Sequence, residues 1–358
     1  MKKIAFHAKK RPVAAAACCM ALALILAGCG GTGSAANGSG PTSSWNTPKR
    51  LAAFDDFGRV EIVFGGGSFF AFGYHHNRNL LVKTSTDGTS WSDATSYFSD
   101  IDFASINNLF FDGGKFFAFG FDRNGTPLVK TSTDGASWSN VTSDLGDFYR
   151  RVNIVFGIGK FFASGLSGGY AALVKTSTDG TSWSDATSDF SDFYWIEDII
   201  FSGGRFFAFG FDRNAELLVT SSADGTSWSD VTSHFSNFFW IDNIFFCGGR
   251  FFVFGPQHNG DTLIASSTDG RSWRDMTSEF SDFHWIDGTF FCGGRFLTFG
   301  SRRNGSLLVT FSADGTSWRD ITSDLNDFCR RVNIVFDESR IFVFGRDANY
   351  DFIVAVKD

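Results

Sequence analysis

The chain is poor in proline, methionine and cysteine, and it has only a small excess of one charge. Among 358 residues there are 5 Pro, 3 Met and 6 Cys, and 31 Lys and Arg stand against 38 Asp and Glu, a net charge of −7. The low net charge and the many aromatic residues exclude an intrinsically disordered chain. Glycine follows no triplet pattern, which excludes collagen. The acidic balance argues against a nucleic-acid partner.

The first residues are predicted to direct export. Residues 1–11 carry five basic residues and no acid, and residues 12–28 are apolar and rich in Ala and Leu. These are the charged and apolar regions of a signal peptide, too short to be read as a transmembrane span. We therefore predict a signal peptide at 1–28, a flexible Gly/Ser tether at 29–42 and one domain at 43–358.

The end of this segment, Leu26-Ala27-Gly28-Cys29, resembles the bacterial lipobox. The resemblance implies cleavage before Cys29 and acylation of that residue, which would anchor the protein to a lipid bilayer. Gly30, in place of the Asp that favours retention in the inner membrane, indicates the outer membrane or the cell surface. A plain signal peptide with a chance cysteine is the alternative.

The remainder of the chain repeats one unit. The string Ser85-Thr86-Asp87-Gly88-Thr89-Ser90-Trp91 recurs, and its tryptophans are separated by 47, 45, 45, 45 and 45 residues. Such a period is typical of a four-stranded propeller blade. The unit that begins at Trp240 predicts strands at about 241–246, 250–254, 262–267 and 272–277, with an Asp-Gly hairpin turn before the fourth.

The two ends of the repeat complement each other. The seventh unit stops after its third strand, at about 352–358, whereas Ser43-Ser44-Trp45-Asn46 matches the start of a fourth strand. We therefore predict an all-β fold, a seven-bladed β-propeller of four-stranded antiparallel blades. In it an N-terminal strand completes the C-terminal blade, so no sheet edge is left open. The ring is expected to be a monomer.

The repeated turn resembles the Asp-box, or BNR repeat, of sialidases and other secreted propellers, shortened by one residue. The resemblance implies structural roles: each Asp accepts backbone N–H groups of its own turn, and each Trp lies between sheets. Ligand binding at these turns is the alternative. The residues are Asp87, Asp134, Asp179, Asp224, Asp269 and Asp314, with Trp91, Trp138, Trp183, Trp228, Trp273 and Trp318.

The opposite face of the ring carries variable loops, where function usually resides. Aromatic pairs precede three successive first strands, and arginines stand at matching places in other units. Aromatic platforms and guanidinium groups suit sugars, carboxylates or protein surfaces. The alternative is that these tryptophans cover the hydrophobic layers and that the arginines pair with Asp147 and Asp327. The candidate partner-binding residues are Trp195, Trp240, Trp285, Arg150, Arg330, Tyr194 and His284.

The sequence gives little support for a catalytic site or a metal site. Only five Glu occur, and Tyr194 and Glu197 are a weak candidate for the Tyr–Glu pair of a sialidase. No zinc-like spacing of Cys and His occurs, so no metal or cofactor is expected. We predict a membrane-anchored binding or scaffold propeller for a protein or glycan partner, without catalytic residues. The alternatives are an exo-acting glycoside hydrolase of sialidase type and an assembly factor for a membrane complex.

Overall fold

The described part of the chain forms seven four-stranded antiparallel sheets, which confirms the predicted all-β, seven-bladed propeller. The computed structural model describes residues 45–357, with gaps at 76–78, 100–104, 123, 125, 248, 260, 293–294, 329–331 and 338–339. Within the described residues no helix is both long enough and apolar enough to cross a membrane.

Each blade is a meander of four strands, and blades 1 to 7 follow the chain. The first strands are β2 (Phe57–Gly65), β6 (Ser105–Asp112), β10 (Phe148–Gly157), β14 (Trp195–Ser202), β18 (Asn243–Cys247), β22 (Trp285–Cys292) and β26 (Asn333–Phe336). The second strands are β3 (Ser68–His75), β7 (Lys115–Phe121), β11 (Lys160–Ser167), β15 (Arg205–Phe211), β19 (Arg250–Pro256), β23 (Arg295–Ser301) and β27 (Ile341–Arg346).

The outer strands complete the blades. The third strands are β4 (Leu80–Ser85), β8 (Pro127–Ser132), β12 (Ala172–Ser177), β16 (Leu217–Ser222), β20 (Thr262–Ser267), β24 (Leu307–Ser312) and β28 (Phe352–Lys357). The fourth strands are β5 (Ser92–Asp93), β9 (Ser139–Asn140), β13 (Ser184–Asp185), β17 (Ser229–Asp230), β21 (Arg274–Asp275), β25 (Arg319–Asp320) and, in blade 7, β1 (Lys49–Arg50).

The second strands are apolar on both faces because each sheet is packed between two others. In β15, Phe206 packs towards blade 3, with its ring centroid 4.9 Å from that of Phe162. The next residue, Phe207, packs towards blade 5, 5.8 Å from Phe251. Side chains alternate between the faces of a strand, so a continuous run of apolar residues is what a doubly covered sheet requires.

The fourth strands are shorter than predicted because a threonine side chain replaces the backbone ladder. After β21 the amide of Met276 donates to the Ile264 carbonyl (2.7 Å). The Ile264 amide then donates to Thr277 Oγ1 (3.1 Å), and the chain turns into a single helical turn. The helical turns that follow the fourth strands are Ala52–Phe54, Ser96–Ser99, Thr142–Leu145, Thr187–Phe190, Thr232–Phe235, Thr277–Phe280 and Thr322–Leu325.

Strand β1 closes the ring against β28. Lys49 pairs with Val354 and Arg50 with Ile353. The Leu51 amide continues the pairing with a hydrogen bond to the Phe352 carbonyl (2.7 Å), and the Leu51 side chain is buried in the layer between blades 7 and 1. The N-terminal segment thus contributes both a strand and core packing.

The first strands surround the central axis, since those of adjacent blades, such as β10, β14 and β18, lie beside one another. The hairpin turns and the repeated Asp turns occupy one end of the ring. The other end carries the loops between second and third strands and the connections between blades. We call this end the loop face.

Candidate functional site

The six repeated turns are held by their own hydrogen bonds. In blade 3, Asp179 Oδ1 accepts the amides of Thr181 (2.7 Å) and Ser182 (2.8 Å) and the hydroxyl of Ser177 (3.0 Å). The amides of Ser182 and Thr181 hold the pKa of Asp179 well below its usual range. The same contacts are made by Asp87, Asp134, Asp224, Asp269 and Asp314. One oxygen of each of these carboxylates, Oδ1, is bound by its own turn.

The tryptophans of these turns lie half-buried between blades. Trp228 of blade 4 packs on Phe190 of the helical turn that follows blade 3, with ring centroids 4.8 Å apart. Trp183 packs in the cluster that contains Leu145, the equivalent position one blade earlier. The corresponding pairs are Trp91–Phe54, Trp138–Phe98, Trp273–Phe235 and Trp318–Phe280. This packing joins neighbouring sheets and leaves little of these rings for a ligand.

A different set of aromatic side chains is exposed on the loop face. Tyr194 is 61% exposed, Trp195 38% and Phe239 44%. His284 is also exposed, and Trp240 is half-buried. The backbone amides of Tyr194, Phe239 and His284 make the same bond, each to the last residue of the second strand of its blade. Three consecutive blades therefore present aromatic side chains at one level of the ring.

A β-bulge in blade 4 places an acid beside Trp195. In blade 4, Ile196 pairs with Gly210 and Asp198 with Phe209, so Glu197 is the extra residue. A bulge redirects the side chains next to it and is common near functional sites. The indole Nε1–H of Trp195 donates to Glu197 Oε2 at 3.1 Å. The hydrogen bond orients the ring and keeps a carboxylate at its edge.

Blade 5 has the same kind of indole–carboxylate hydrogen bond, with additional rings beside it. The indole Nε1–H of Trp240 donates to Asp242 Oδ1 at 2.9 Å. The Phe239 ring lies 5.7 Å from that of Trp240 at an interplanar angle of 40°, and 5.5 Å from that of His258 at 68°. Three inclined rings and one carboxylate form a corner that is open to solvent on the loop face.

Other predicted site residues are described only in part. Trp285 pairs with Ser301 at the start of β22, and Arg150 belongs to β10, but their side chains lie outside the described part of the structure. Arg330 and Cys29 lie outside the described residues altogether. Asp147, a predicted partner for arginine, binds Lys175 Nζ at 2.6 Å.

The carboxylates of this site are the residues that the sequence analysis did not assign to it. The sequence pattern predicts only a Tyr–Glu pair for Glu197 and no role for Asp242. The available signal was the string Trp-Ile-acid, at Trp195, Trp240 and Trp285, in three consecutive repeats. Among the described residues, no cluster of three or more His, Cys, Asp or Glu could hold a metal ion.

One further carboxyl group is unusual because it is buried between blades. Asp112, 5% exposed, accepts the amides of Gly113 and, across the blade boundary, Phe156, both at 2.7 Å. Burial raises the pKa of Asp112 to about 7. This residue lies at the end of β6 away from the loop face, so it concerns stability and not the candidate site.

No family model and no curated protein matches the chain. Solved structures with the same fold include the β-propeller domain of the trilobed protease from Pyrococcus furiosus, 9% identical (TM-score 0.55; 84% of this chain, 96% of that one). They also include prolyl oligopeptidase B from Galerina marginata, 13% identical (TM-score 0.59; 86% and 50%). A sialidase from Trypanosoma rangeli is 10% identical (TM-score 0.40; 88% and 55%).

The similarities to the Pyrococcus and Galerina structures define the class of protein, a β-propeller, and show the fold alone. The chain spans about half the length of the oligopeptidase and of the sialidase. The Pyrococcus propeller is described as having an open velcro topology, whereas strand β1 closes the last blade here. Structural neighbours thus include peptidases and a sialidase at low identity.

Proposed function

We propose that this chain is a lipid-anchored, extracytoplasmic propeller that binds a protein or glycan partner through its loop face and is not an enzyme. The observation that carries the proposal is the exposure of Tyr194, Trp195 and Phe239 on the loop face. Aromatic side chains on a rigid scaffold that remain in water are typical of binding hot spots, and an exposed apolar patch marks an interaction surface. The tryptophans of the repeated Asp turns, by contrast, pack between neighbouring blades.

The test replaces Trp195, Trp240 and Trp285 together by Ala and crosslinks the protein in intact cells. We expect the crosslinked partner to disappear while the melting curve stays close to that of the unmodified protein. Tyr97→Ala, which removes an exposed ring elsewhere on the chain, is the matched control and should keep the partner. Loss of folding would show that the three tryptophans are core residues, and undiminished crosslinking would refute the binding role.

The anchor is proposed to be Cys29, on the strength of the lipobox-like string that precedes it. Cys29→Ser should abolish incorporation of a labelled fatty acid and release the protein from the membrane fraction, because one or more acyl chains supply the membrane affinity. Cys329→Ser is the matched cysteine control and should remain labelled. Labelling of the Cys29→Ser protein would refute the assignment.

Two alternatives are separated by simple assays. For a sialidase, Glu197 would have to pair with a tyrosine, yet its carboxylate accepts the indole N–H of Trp195. We expect no turnover of fluorogenic sialosides at high protein concentration, and turnover would establish a hydrolase. An assembly factor for a membrane complex differs from a general binding protein only in its partner, so the identity of the crosslinked protein decides between them.

A further inference from the structure

Two loops of the loop face hold a tyrosine in a backbone conformation that favours glycine. Tyr170, between β11 and β12, has a φ of 62°, and Tyr350, between β27 and β28, has a φ of 66°. The same position is occupied by Ala215 (φ 63°) in blade 4 and by Gly305 (φ 80°) in blade 6. In all four loops the amide of this residue donates to the carbonyl three residues earlier, at 2.9 or 3.1 Å. The loops therefore share one geometry, in which glycine is the residue without strain.

Both tyrosines are strongly exposed in spite of this strain. Tyr170 is 57% exposed and Tyr350 60%. A bulky residue at positive φ costs stability, and such strain concentrates at functional sites. A ring that stays mostly in water gains little from folding that could offset the cost. The edge of Tyr149 lies against Tyr170, with centroids 5.2 Å apart and an interplanar angle of 65°, and this contact orients the exposed ring. A binding partner accounts for the two tyrosines better than the fold does.

The composition of these loops is that of protein-binding loops. The loop of blade 3 reads Ser167-Gly168-Gly169-Tyr170-Ala171, and the loop of blade 7 reads Asp347-Ala348-Asn349-Tyr350-Asp351. Tyrosine among Ser, Gly and Asn is typical of antibody binding loops, because tyrosine supplies a large contact area with few rotatable bonds and the small residues adapt around it. The equivalent loops at 212–216 and 302–306 carry arginine and no aromatic residue. The tyrosines are thus a feature of particular blades and not of the repeat.

We infer that Tyr170 and Tyr350 contact a folded protein that lies across the loop face and covers the mouth of the ring. The inference rests on the proposed binding function and selects a protein over a glycan. Blades 3 and 7 are three blades apart, the largest separation that a ring of seven allows. Exposed tyrosines at that separation match a broad protein interface, in which tyrosine and tryptophan supply much of the binding energy. A small ligand, in contrast, needs a concave site that buries most of its surface.

The entry point of the chain favours a protein over a membrane surface at these loops. Strand β28 begins at the loop face, directly after the loop of Tyr350. The Asn46 amide donates to the carbonyl of Val356, near the other end of this strand, at 3.0 Å. The segment before Trp45 therefore joins the ring at the end opposite the loop face. A lipid anchor on that segment leaves both tyrosines on the far side of the ring from the point of attachment.

The experiment maps contacts in intact cells with a photo-crosslinking residue in the full chain. p-Benzoylphenylalanine replaces Tyr170, Tyr350 or Ile158, and captured molecules are identified by mass spectrometry. Ile158 is the matched control, because it is 53% exposed and has a φ of 51° but lies in the hairpin between β10 and β11, at the opposite end of the ring. We expect the probes in place of Tyr170 and Tyr350 to capture the protein that the triple tryptophan variant loses. The probe in place of Ile158 should not capture it.

Glycine variants separate binding from folding. We expect the double variant Tyr170→Gly, Tyr350→Gly to recover at least about tenfold less of this protein. Its Tm should not fall, because relief of backbone strain offsets the lost ring contacts. Ala215→Gly relieves the same strain without removing a ring and should keep the partner.

Several outcomes would overturn the inference. Capture of lipid or glycan in place of protein would assign the tyrosines to another kind of ligand, and capture at one tyrosine alone would exclude a partner that spans the mouth. Undiminished recovery by the double variant, or a Tm lowered by more than about 2 °C, would show that the rings serve the fold. The proposed function fails separately: it fails if the triple tryptophan variant keeps its partner. If that variant loses the partner and the double tyrosine variant keeps it, the binding function stands and the loop tips lie outside the interface.

Discussion

The closure of the ring by the N-terminal segment can be tested at one side chain. Leu51 is 2% exposed and packs with Phe54, Phe344 and Phe352 between blades 7 and 1. Leu51→Ala removes three carbons from this layer and leaves a cavity, while the amide of residue 51 can still donate to the Phe352 carbonyl. The perturbation therefore isolates the packing contribution of the segment from its backbone pairing.

The expected loss follows from other buried leucines. Leu-to-Ala changes in well-packed cores lower the free energy of unfolding by 2–5 kcal/mol, and about 3 kcal/mol is expected where large aromatic neighbours relax only in part. For a domain of this size 3 kcal/mol corresponds to a decrease of about 5 °C in Tm. Thermal unfolding followed by circular dichroism measures it. A decrease below about 1 °C would show that Leu51 is not part of the cooperative core.

Deletion tests the strand itself. Removing residues 30–40 should leave Tm unchanged, because they are predicted to be tether. Removing Ser43–Leu51 takes away β1 and exposes the edge of β28, and the buried Phe54 and Phe57 lose part of their cover. A synthetic peptide of residues 43–51 added to the second variant should restore Tm in a concentration-dependent way. Identical melting of the two deletion variants would refute the closure.

Two further predictions concern stability. Asp112 ionises near pH 4 in the unfolded chain but holds its proton to about pH 7 when folded. The contribution of Asp112 to the free energy of unfolding, measured against the Asp112→Asn variant, is therefore greatest below pH 4 and falls by up to about 4 kcal/mol as the pH rises to 7. A difference between the two proteins in denaturant unfolding that does not change with pH would contradict this. Ala215 and Gly305 occupy the same loop position with φ of 63° and 80°. A positive φ strains a residue that has a β-carbon more than it strains glycine, and a β-carbon at Gly305 would meet nothing within 4 Å, so no clash adds to that strain. Ala215→Gly should therefore raise the free energy of unfolding by about 0.5–1 kcal/mol, and Gly305→Ala should lower it by a similar amount. Chemical denaturation of both variants measures these changes, and changes of the same sign would exclude backbone strain as the cause.

The fold could be predicted from the sequence because its determinants are local and repeated. Each Asp-Gly turn with its following Trp marks the boundary between third and fourth strands, and the fixed period counts the blades. The complementary ends, Trp45 and the C-terminal third strand, indicated the closure. The length of the fourth strands was not predictable from pattern alone. The Thr277 hydroxyl and a backbone carbonyl compete to accept the Ile264 amide, and only the structure shows that the hydroxyl does so.

The site was predictable only in part, for a reason that lies in the position of the bulges. Blade 3 has one residue more between Phe148 and Val152 than blade 4 has between Phe193 and Ile196, whereas blade 4 has its extra residue after Ile196. Both repeats keep the 45-residue period, so counting along the sequence makes Arg150 the equivalent of Trp195.

The strand pairing gives a different alignment. It places Arg151 at the level of Trp195 and leaves no counterpart of Glu197 in blade 3, where Val152 and Asn153 pair in unbroken register with Gly165 and Ser164. A shift of one residue changes which side chain reaches the mouth of the ring. In blade 4 the acid beside Trp195 therefore depends on the extra residue that follows Ile196.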